Sequence, residues 1–375
     1  MANVAEDVQV GKSKEYSSKK YKLAFIEITY SFFLLFIFQW TGVSKHLALK
    51  ISAIAPGSFL VLPLYFLAGY GIYYCIELPL IFYDSFLIEH RFSLSTQKIS
   101  NWLQDQFKGL MISYIIGLVC LEALYYTLRH NPHTWWLVIS VFWILLSIVL
   151  ARITPQVLLP LFFKYKKISD EALKARILAL AEKMNLKVMN VFEIDFSKKT
   201  RKANAAFIGW GATRRVILAD TLKSTFTNDE IEVIMAHEFA HYKCKHLFKL
   251  LCVGSIITMV CFYSIFMTHA YVLGMFGLVS LTDIAALPII LMYFMIIGIV
   301  LQPLQNYISR AFEKNADRMA IHYTGLKEGF ISSMEKLAEQ NLADRNPHPL
   351  IKFFFFDHPP IDERIAMARS LMVNG

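Results

Sequence analysis

Six long apolar stretches, near residues 24–44, 59–83, 109–128, 135–160, 247–276 and 285–308, divide the chain. A helix rises about 1.5 Å per residue, so each stretch is long enough to cross the roughly 30 Å of a bilayer's hydrocarbon. Between the fourth and fifth stretches the texture changes. Residues 169–185 carry Leu173, Ile177, Leu178, Leu180 and Met184 at near-helical spacing, and residues 188–194 and 215–218 read as short strands. Thr227-Asn228-Asp229-Glu230 has the form of a capping box, so a helix is expected to start there and run through residue 241. The pattern predicts a predominantly α-helical polytopic membrane protein with six transmembrane helices and a small cytoplasmic α/β insertion. Its expected segments are a tail and helices 1–4 over 1–163, the α/β segment over 164–246, helices 5 and 6 over 247–309, and a C-terminal cytoplasmic segment over 310–375.

Composition agrees with that reading. At 56% hydrophobic residues the chain is too apolar for an ordinary soluble domain. The net charge of +9 raises the question of nucleic acid, but the basic residues sort by loop. They concentrate in the N-terminal tail (Lys12, Lys14, Lys19, Lys20, Lys22), the 87–108 loop, the 164–246 segment and the C-terminal tail, whereas loops 45–57, 129–134 and 277–284 carry few. That is the positive-inside distribution of a membrane chain with both ends in the cytoplasm, not a nucleic-acid footprint. The first stretch lacks a clean small-residue cleavage site and is expected to stay as an uncleaved span. Five cysteines without CxxC spacing argue against a disulfide framework or a thiolate metal site.

The chemistry starts at His237-Glu238-Phe239-Ala240-His241. Two histidines four apart share one helical face, so both imidazoles can bind one Zn²⁺, and Glu238 between them is placed to act as a base on a water the metal activates. A catalytic zinc takes three protein ligands, and the best third candidate is Glu313. Asp317, four residues on, shares its face and can hold the free ring N–H of a ligand histidine. His246 lies off the zinc-facing stripe and is expected as an interface residue. Only about 9 Å of helix separates His241 from the fifth span and about 6 Å separates Ser309 from Glu313, so the metal is expected at the cytoplasmic membrane boundary. Glu27, Glu77, Glu122, Arg152, His269, Gln302 and Asn306 fall within or at the edges of apolar runs. Facing lipid they would be costly, so they either line a watery interior chamber or pair with one another, for example Glu77 or Glu122 with Arg152.

Several ordered motifs together resemble the integral-membrane zinc endopeptidases that process CAAX prenyl proteins, relatives of the membrane quality-control peptidases. The carriers are Leu87-Ile88-Glu89 with Phe92 and Thr96-Gln97, Asn204 through Gly209, Val216 through Leu222, the HEFAH segment, the Glu313/Asp317 segment, and His358-Pro359-Pro360-Ile361-Asp362-Glu363-Arg364. The likeness runs from about residue 73 to residue 368. It implies one Zn²⁺ per chain on His237, His241 and Glu313, with Glu238 as general base and proton shuttle. It also implies that Asn204, Ala205, Ala206 and Phe207 form an edge strand that pairs with substrate backbone, and that His358 stabilises the developing oxyanion rather than serving only as a turn residue. The implied substrate is a prenylated or membrane-associated protein, cut after the lipidated cysteine of a CAAX terminus. Two departures stand out: the chain is compact, with fewer spans than the eukaryotic members, and Ala206 stands where the family's edge strand carries an aromatic residue.

Two other readings compete. One is the same chemistry applied to damaged membrane proteins without prenyl specificity. The other is a non-catalytic zinc-stabilised membrane protein or transporter, which the lack of a fourth Cys or His at suitable spacing disfavours. The expected location is a bacterial plasma membrane, or the endoplasmic reticulum in a eukaryote, with the site facing the cytoplasm.

Overall fold

A computed structural model describes residues 2–55, 57–209 and 214–371. Six of its helices are long and apolar enough to cross a membrane: Gln9–Trp40, Phe59–Arg91, Ile99–His130, Trp135–Leu161, His246–Met275 and Ile284–Thr324. Each expected apolar stretch has become one of them. They overrun the predicted limits: Gln9–Trp40 has 32 residues and Ile284–Thr324 has 41. The helix α1 (Ala2–Trp40) has 39 residues and α10 (Leu287–Thr324) has 38, about 57 Å for 38 residues at the usual rise.

The first four spans are α1, α3 (Ser58–Phe82, prolonged to Arg91), α4 (Ile99–His130) and α5 (Trp135–Ile153). Between α1 and α3, where the hydropathy pattern predicts a loop, lies α2 (Val43–Ile54). At 12 residues it is too short to cross. It buries only Ser44, Ala48 and Ile51, and Ser44 Oγ anchors it by donating to the Ala285 carbonyl at 2.8 Å. So narrow an apolar stripe is weak as a sequence signal.

The spans are buried by the protein to different degrees. Only 11% of the most apolar stretch of each of the first four is buried, against 44% in the sixth. A cavity of about 470 Å³ opens between α1, α3 and α10, lined by Leu34, Phe38, Tyr70, Tyr73, Pro288 and Leu291 among others. Glu77 is buried, with Ser31 Oγ donating to its Oε1 at 2.9 Å and the Tyr73 hydroxyl 2.9 Å from Ser31 Oγ. Glu122 and Arg152 are exposed and form no ion pair among the described residues. Pairing with Arg152 is therefore not what accommodates the acids in the spans.

The polar segment folds as an α/β unit. Strands β1 (Tyr165–Lys167), β2 (Asn190–Ile194), β3 (Ala205–Ile208) and β4 (Arg215–Ala219) make a sheet of order β1-β2-β4-β3. β2 and β4 run parallel, and the outer strands are antiparallel to their neighbours. Helix α6 (Glu171–Lys183) packs Leu173, Ile177 and Leu180 into a core shared with Val216 and Leu218 of β4. The short α7 (Asp220–Thr225) leads to α8 (Asn228–Lys243).

Helix α8 starts as the capping box requires. Thr227 Oγ1 accepts from the Glu230 N–H at 3.3 Å, while Glu230 Oε2 accepts from the Thr227 N–H at 2.7 Å. Ser332 and Lys336 on α11 (Lys327–Gln340) also bond the Glu230 carboxylate, each at 2.8 Å. The buried cluster around Val233, Ala236 and Phe239 extends through Ala316 and Ala320 of α10, Phe330 of α11 and, beyond the short α12 (Pro349–Phe355), Ile365 of α13 (Ile361–Ser370). The α/β segment and the helices after the last span thus share one core, which brings distant stretches of sequence to α8.

Candidate metal and catalytic site

Helix α8 turns His237 and His241 to the same side, with their Nε2 atoms 3.0 Å apart. The C-terminal half of α10 supplies Glu313 opposite them. Its Oε2 lies 3.2 Å from His237 Nε2 and its Oε1 lies 3.2 Å from His241 Nε2. The three side chains are the group of possible metal ligands found among the described residues. Donors about 2.0–2.1 Å from a tetrahedral zinc are about 3.3 Å from one another, so this spacing fits one ion at the centre of the trio. Glu313 Oε2 is buried and accepts no hydrogen bond. A lone pair left orphaned in the interior is costly unless a cation answers it.

Both imidazoles are held from behind. His237 Nδ1 lies 2.9 Å from Asp317 Oδ1, one turn beyond Glu313 on α10. Asp317 is fully buried and clamped by Arg364 of α13, whose Nε and Nη2 donate to Oδ2 at 2.8 Å and Oδ1 at 2.5 Å. Burial by itself lowers the His237 pKa, but the neighbouring Asp317 and Glu313 carboxylates outweigh it and push the value up to about 9.

His241 has a different neighbour. His246 Nδ1 sits 3.1 Å from His241 Nδ1, and the His246 ring stacks on Phe312. The sequence reading as an interface residue is corrected here: the helix breaks. α8 ends at Lys243, Lys245 adopts the left-handed conformation at φ 55, and a new helix, α9 (His246–Met275), starts at His246. Counting five residues along an unbroken helix puts this ring on the wrong face.

Glu238 is half-buried in a cavity of about 250 Å³ that it lines with His237, His358, Asn204, Ala205 and Arg364. Burial raises its pKa, and the neighbouring His237 and His241 offset part of the rise. His358 stands on the other side of Glu313, with Nε2 3.3 Å from Glu313 Oε1 and Nδ1 2.8 Å from Asp357 Oδ1. The hydrogen bond to Asp357 raises the His358 pKa, against an opposing effect of burial. The segment that carries His358 is tied to α10. Asn306 Nδ2 donates to the Phe354 carbonyl at 2.7 Å, and Arg310 donates to the Phe356 and Lys352 carbonyls at 2.5 and 3.2 Å. Pro359 and Pro360 are buried and stiffen the turn into α13.

Strand β3 is an edge: it pairs with β4 on one side and with no other strand among the described residues. Asn204, just before it, accepts from the Ala219 N–H at 3.0 Å. By the alternation of an antiparallel ladder, Ala206 and Ile208 also bond toward β4, and Ala205 and Phe207 direct their N–H and C=O to the open edge. The structure thus brings His237, Glu238, His241, Glu313, Asp317 and His358 together, with Asn204 and Ala205 lining the cavity beside Glu238. Arg364, His246, Asp357 and the tethers Asn306 and Arg310 are additions. Arg364 already stood in a quoted motif, and Asn306 among the polar groups near the spans.

Comparison with known proteins gives the family. The profile described as peptidase family M48 matches residues 167–372, and one described as CAAX prenyl protease N-terminal, five membrane helices, matches residues 1–164. The chain belongs to peptidase family M48. It is a multi-pass membrane metalloprotease. Four of its long spans and the short α2 lie within the N-terminal match. It is 30% identical to the uncharacterized metalloprotease YhfN of Bacillus subtilis, over 98% of this chain and 87% of that protein. It is 28% identical to a CAAX prenyl protease 1 homolog of Arabidopsis thaliana, over 97% of this chain and 88% of that one. The crystal structure of S. mikatae Ste24p shares the M48 chain's fold, with a TM-score of 0.87 at 22% identity over 96% of this chain and 89% of that one.

Proposed function

We propose that the chain is a zinc endopeptidase that cuts CAAX-type prenylated C-terminal peptides after the lipidated cysteine, working at the cytoplasmic face of its membrane. The observation that carries the reading is the trio His237, His241 and Glu313 with Glu238 and His358 on one cleft, beside an open strand edge and at the root of two membrane helices. His237, His241 and Glu313 would hold one Zn²⁺, whose contribution when bound is Lewis acidity toward a water and toward the peptide carbonyl. The β3 edge would hold the substrate backbone extended through Ala205 and Phe207. Glu238, its pKa raised toward the working range, takes the proton of the attacking water and returns it to the leaving amine. His358, kept protonated by Asp357, donates from Nε2 to the oxygen that gains charge.

Relatives described as CAAX prenyl proteases support the substrate class, and the positive-inside distribution supports the cytoplasmic orientation. The test compares a farnesylated CAAX peptide, its unprenylated twin and an unfolded membrane protein, each with and without chelator. The expected result is chelator-sensitive cleavage of the farnesylated peptide at least tenfold faster than the twin. Equal rates on all three would replace this reading with a quality-control peptidase. Glu238→Gln should keep stoichiometric zinc and lose about 10²–10⁴ in rate.

A further inference from the structure

The two histidines of the site are held in different ways. Asp317 stands behind His237, but among the described residues no carboxylate stands behind His241. Its Nδ1 faces the Nδ1 of His246 at 3.1 Å. For His241 to offer its Nε2 lone pair to a metal, its single proton must be on Nδ1. That proton then needs an acceptor.

We infer that His246 is a positioning residue for the metal site: a neutral imidazole whose Nδ1 accepts the His241 Nδ1–H and so fixes the tautomer and ring orientation of that ligand. This rests on the reading of His237, His241 and Glu313 as the zinc site. Three observations support it. His246 is 2% exposed, so water does not compete for its ring nitrogens. Its ring lies on Phe312 at 4.5 Å between centroids and 7° between planes, which sets the direction of Nδ1. Phe312 is the residue before Glu313, so one turn of α10 supplies both a ligand to the trio and the platform for the residue behind another ligand.

The break at Lys245 is what makes the contact available. A residue five positions beyond His241 on a continuous helix points about 140° away from it, given 100° per residue. The left-handed Lys245 starts α9 on a new axis, and its first residue folds back over α8. The arrangement also has an electrostatic consequence. Asp317 is paired with Arg364, and His246, as a hydrogen-bond acceptor, adds no negative charge behind His241. A carboxylate in place of His246 would make the site more anionic and blunt the Lewis acidity of the zinc.

The test uses the full-length protein in detergent, with zinc affinity measured by competition against a chromophoric chelator. His246→Phe keeps the ring and its stacking but removes the acceptor, whereas His246→Asn restores an acceptor near the position of Nδ1. The expected result is a loss of about 10- to 100-fold in zinc affinity for the Phe variant, as for other outer contacts to ligand histidines, and recovery to within about threefold of wild type for Asn. The visible spectrum of the cobalt-substituted protein should change for Phe and not for Asn. Wild-type affinity in the Phe variant, or equal losses in both, would overturn the inference. Absence of zinc binding by the wild type would instead overturn the metal site itself. Melting of both variants at saturating zinc shows that each is folded.

Discussion

Asp317 Oδ1 lies 2.9 Å from His237 Nδ1 while the same carboxylate is gripped at both oxygens by Arg364. One buried acid thus serves two masters, a ring nitrogen that must stay protonated and a guanidinium that must stay paired. The consequence for zinc is direct. Asp317→Asn keeps the shape but weakens the hold on His237, and is expected to lower zinc affinity about 10- to 100-fold by chelator competition. An unchanged affinity would show that the Asp317 contact does not orient the ligand.

Arg364 has a separate, structural consequence. Its removal leaves Asp317 fully buried without its cation, a situation that typically costs about 3–5 kcal/mol. Arg364→Ala is therefore expected to lower the unfolding midpoint of the unit that carries the site, measured in detergent. Combining it with Asp317→Asn should recover part of the loss, because the uncompensated charge goes with the substitution. Strictly additive losses would mean that the pair contributes packing alone.

The pH dependence follows from two opposed groups. Glu238 works as a base only when ionised, and burial raises its pKa above the ordinary 4.5, so activity falls as pH drops through that raised value. His358 donates a hydrogen bond through its Nδ1–H to Asp357, so Nε2 carries a proton only in the imidazolium form. Activity therefore falls as pH rises through a His358 pKa that lies above the ordinary 6.5. The expected kcat/KM profile is a bell with its acid limb above 4.5 and its alkaline limb above 6.5. Asp357→Asn removes the largest cause of the His358 shift and should draw in the alkaline limb alone. Movement of the acid limb instead would assign the limbs to other groups.

Replacing His358 by Ala removes the oxyanion donor outright. The expected loss is about 10²–10³ in kcat, with zinc content unchanged by elemental analysis. A loss of metal along with activity would make His358 part of the metal site, not a donor to the reacting oxygen.

What was legible in the sequence, and what was not, divides along local and tertiary lines. The six spans, the capping box at Thr227 and the pairing of His237 with His241 depend on periods of a few residues, which a single stretch of chain displays. Glu313 with Asp317 is also a local four-residue relation, and it needed only the demand for a third ligand to be found. Arg364 is different: its role exists because α13 packs against α10, 47 residues earlier in the chain. His246 depends on a single left-handed residue, and Lys is not a residue type that announces one. The short α2 escaped because three buried positions make too faint a stripe.

The open edge of β3 leads to the last prediction. In the ladder with β4, Ala206 and Ile208 are committed to the sheet, and Ala205 turns its N–H to the cleft that Glu238 and His358 line. Proline is tolerated on an edge strand where the missing N–H would have faced outward. Ala205→Pro should therefore leave the sheet intact while removing one hydrogen bond to an extended substrate. A net hydrogen bond is worth about 0.5–1.5 kcal/mol, so kcat/KM for a peptide should fall roughly 2- to 12-fold. Ala206→Pro, which removes a donor the sheet uses, should instead lower the melting temperature. If Ala205→Pro cleaves peptides at the wild-type rate with the fold intact, substrate does not extend the sheet at β3 and must be held by the cleft walls alone.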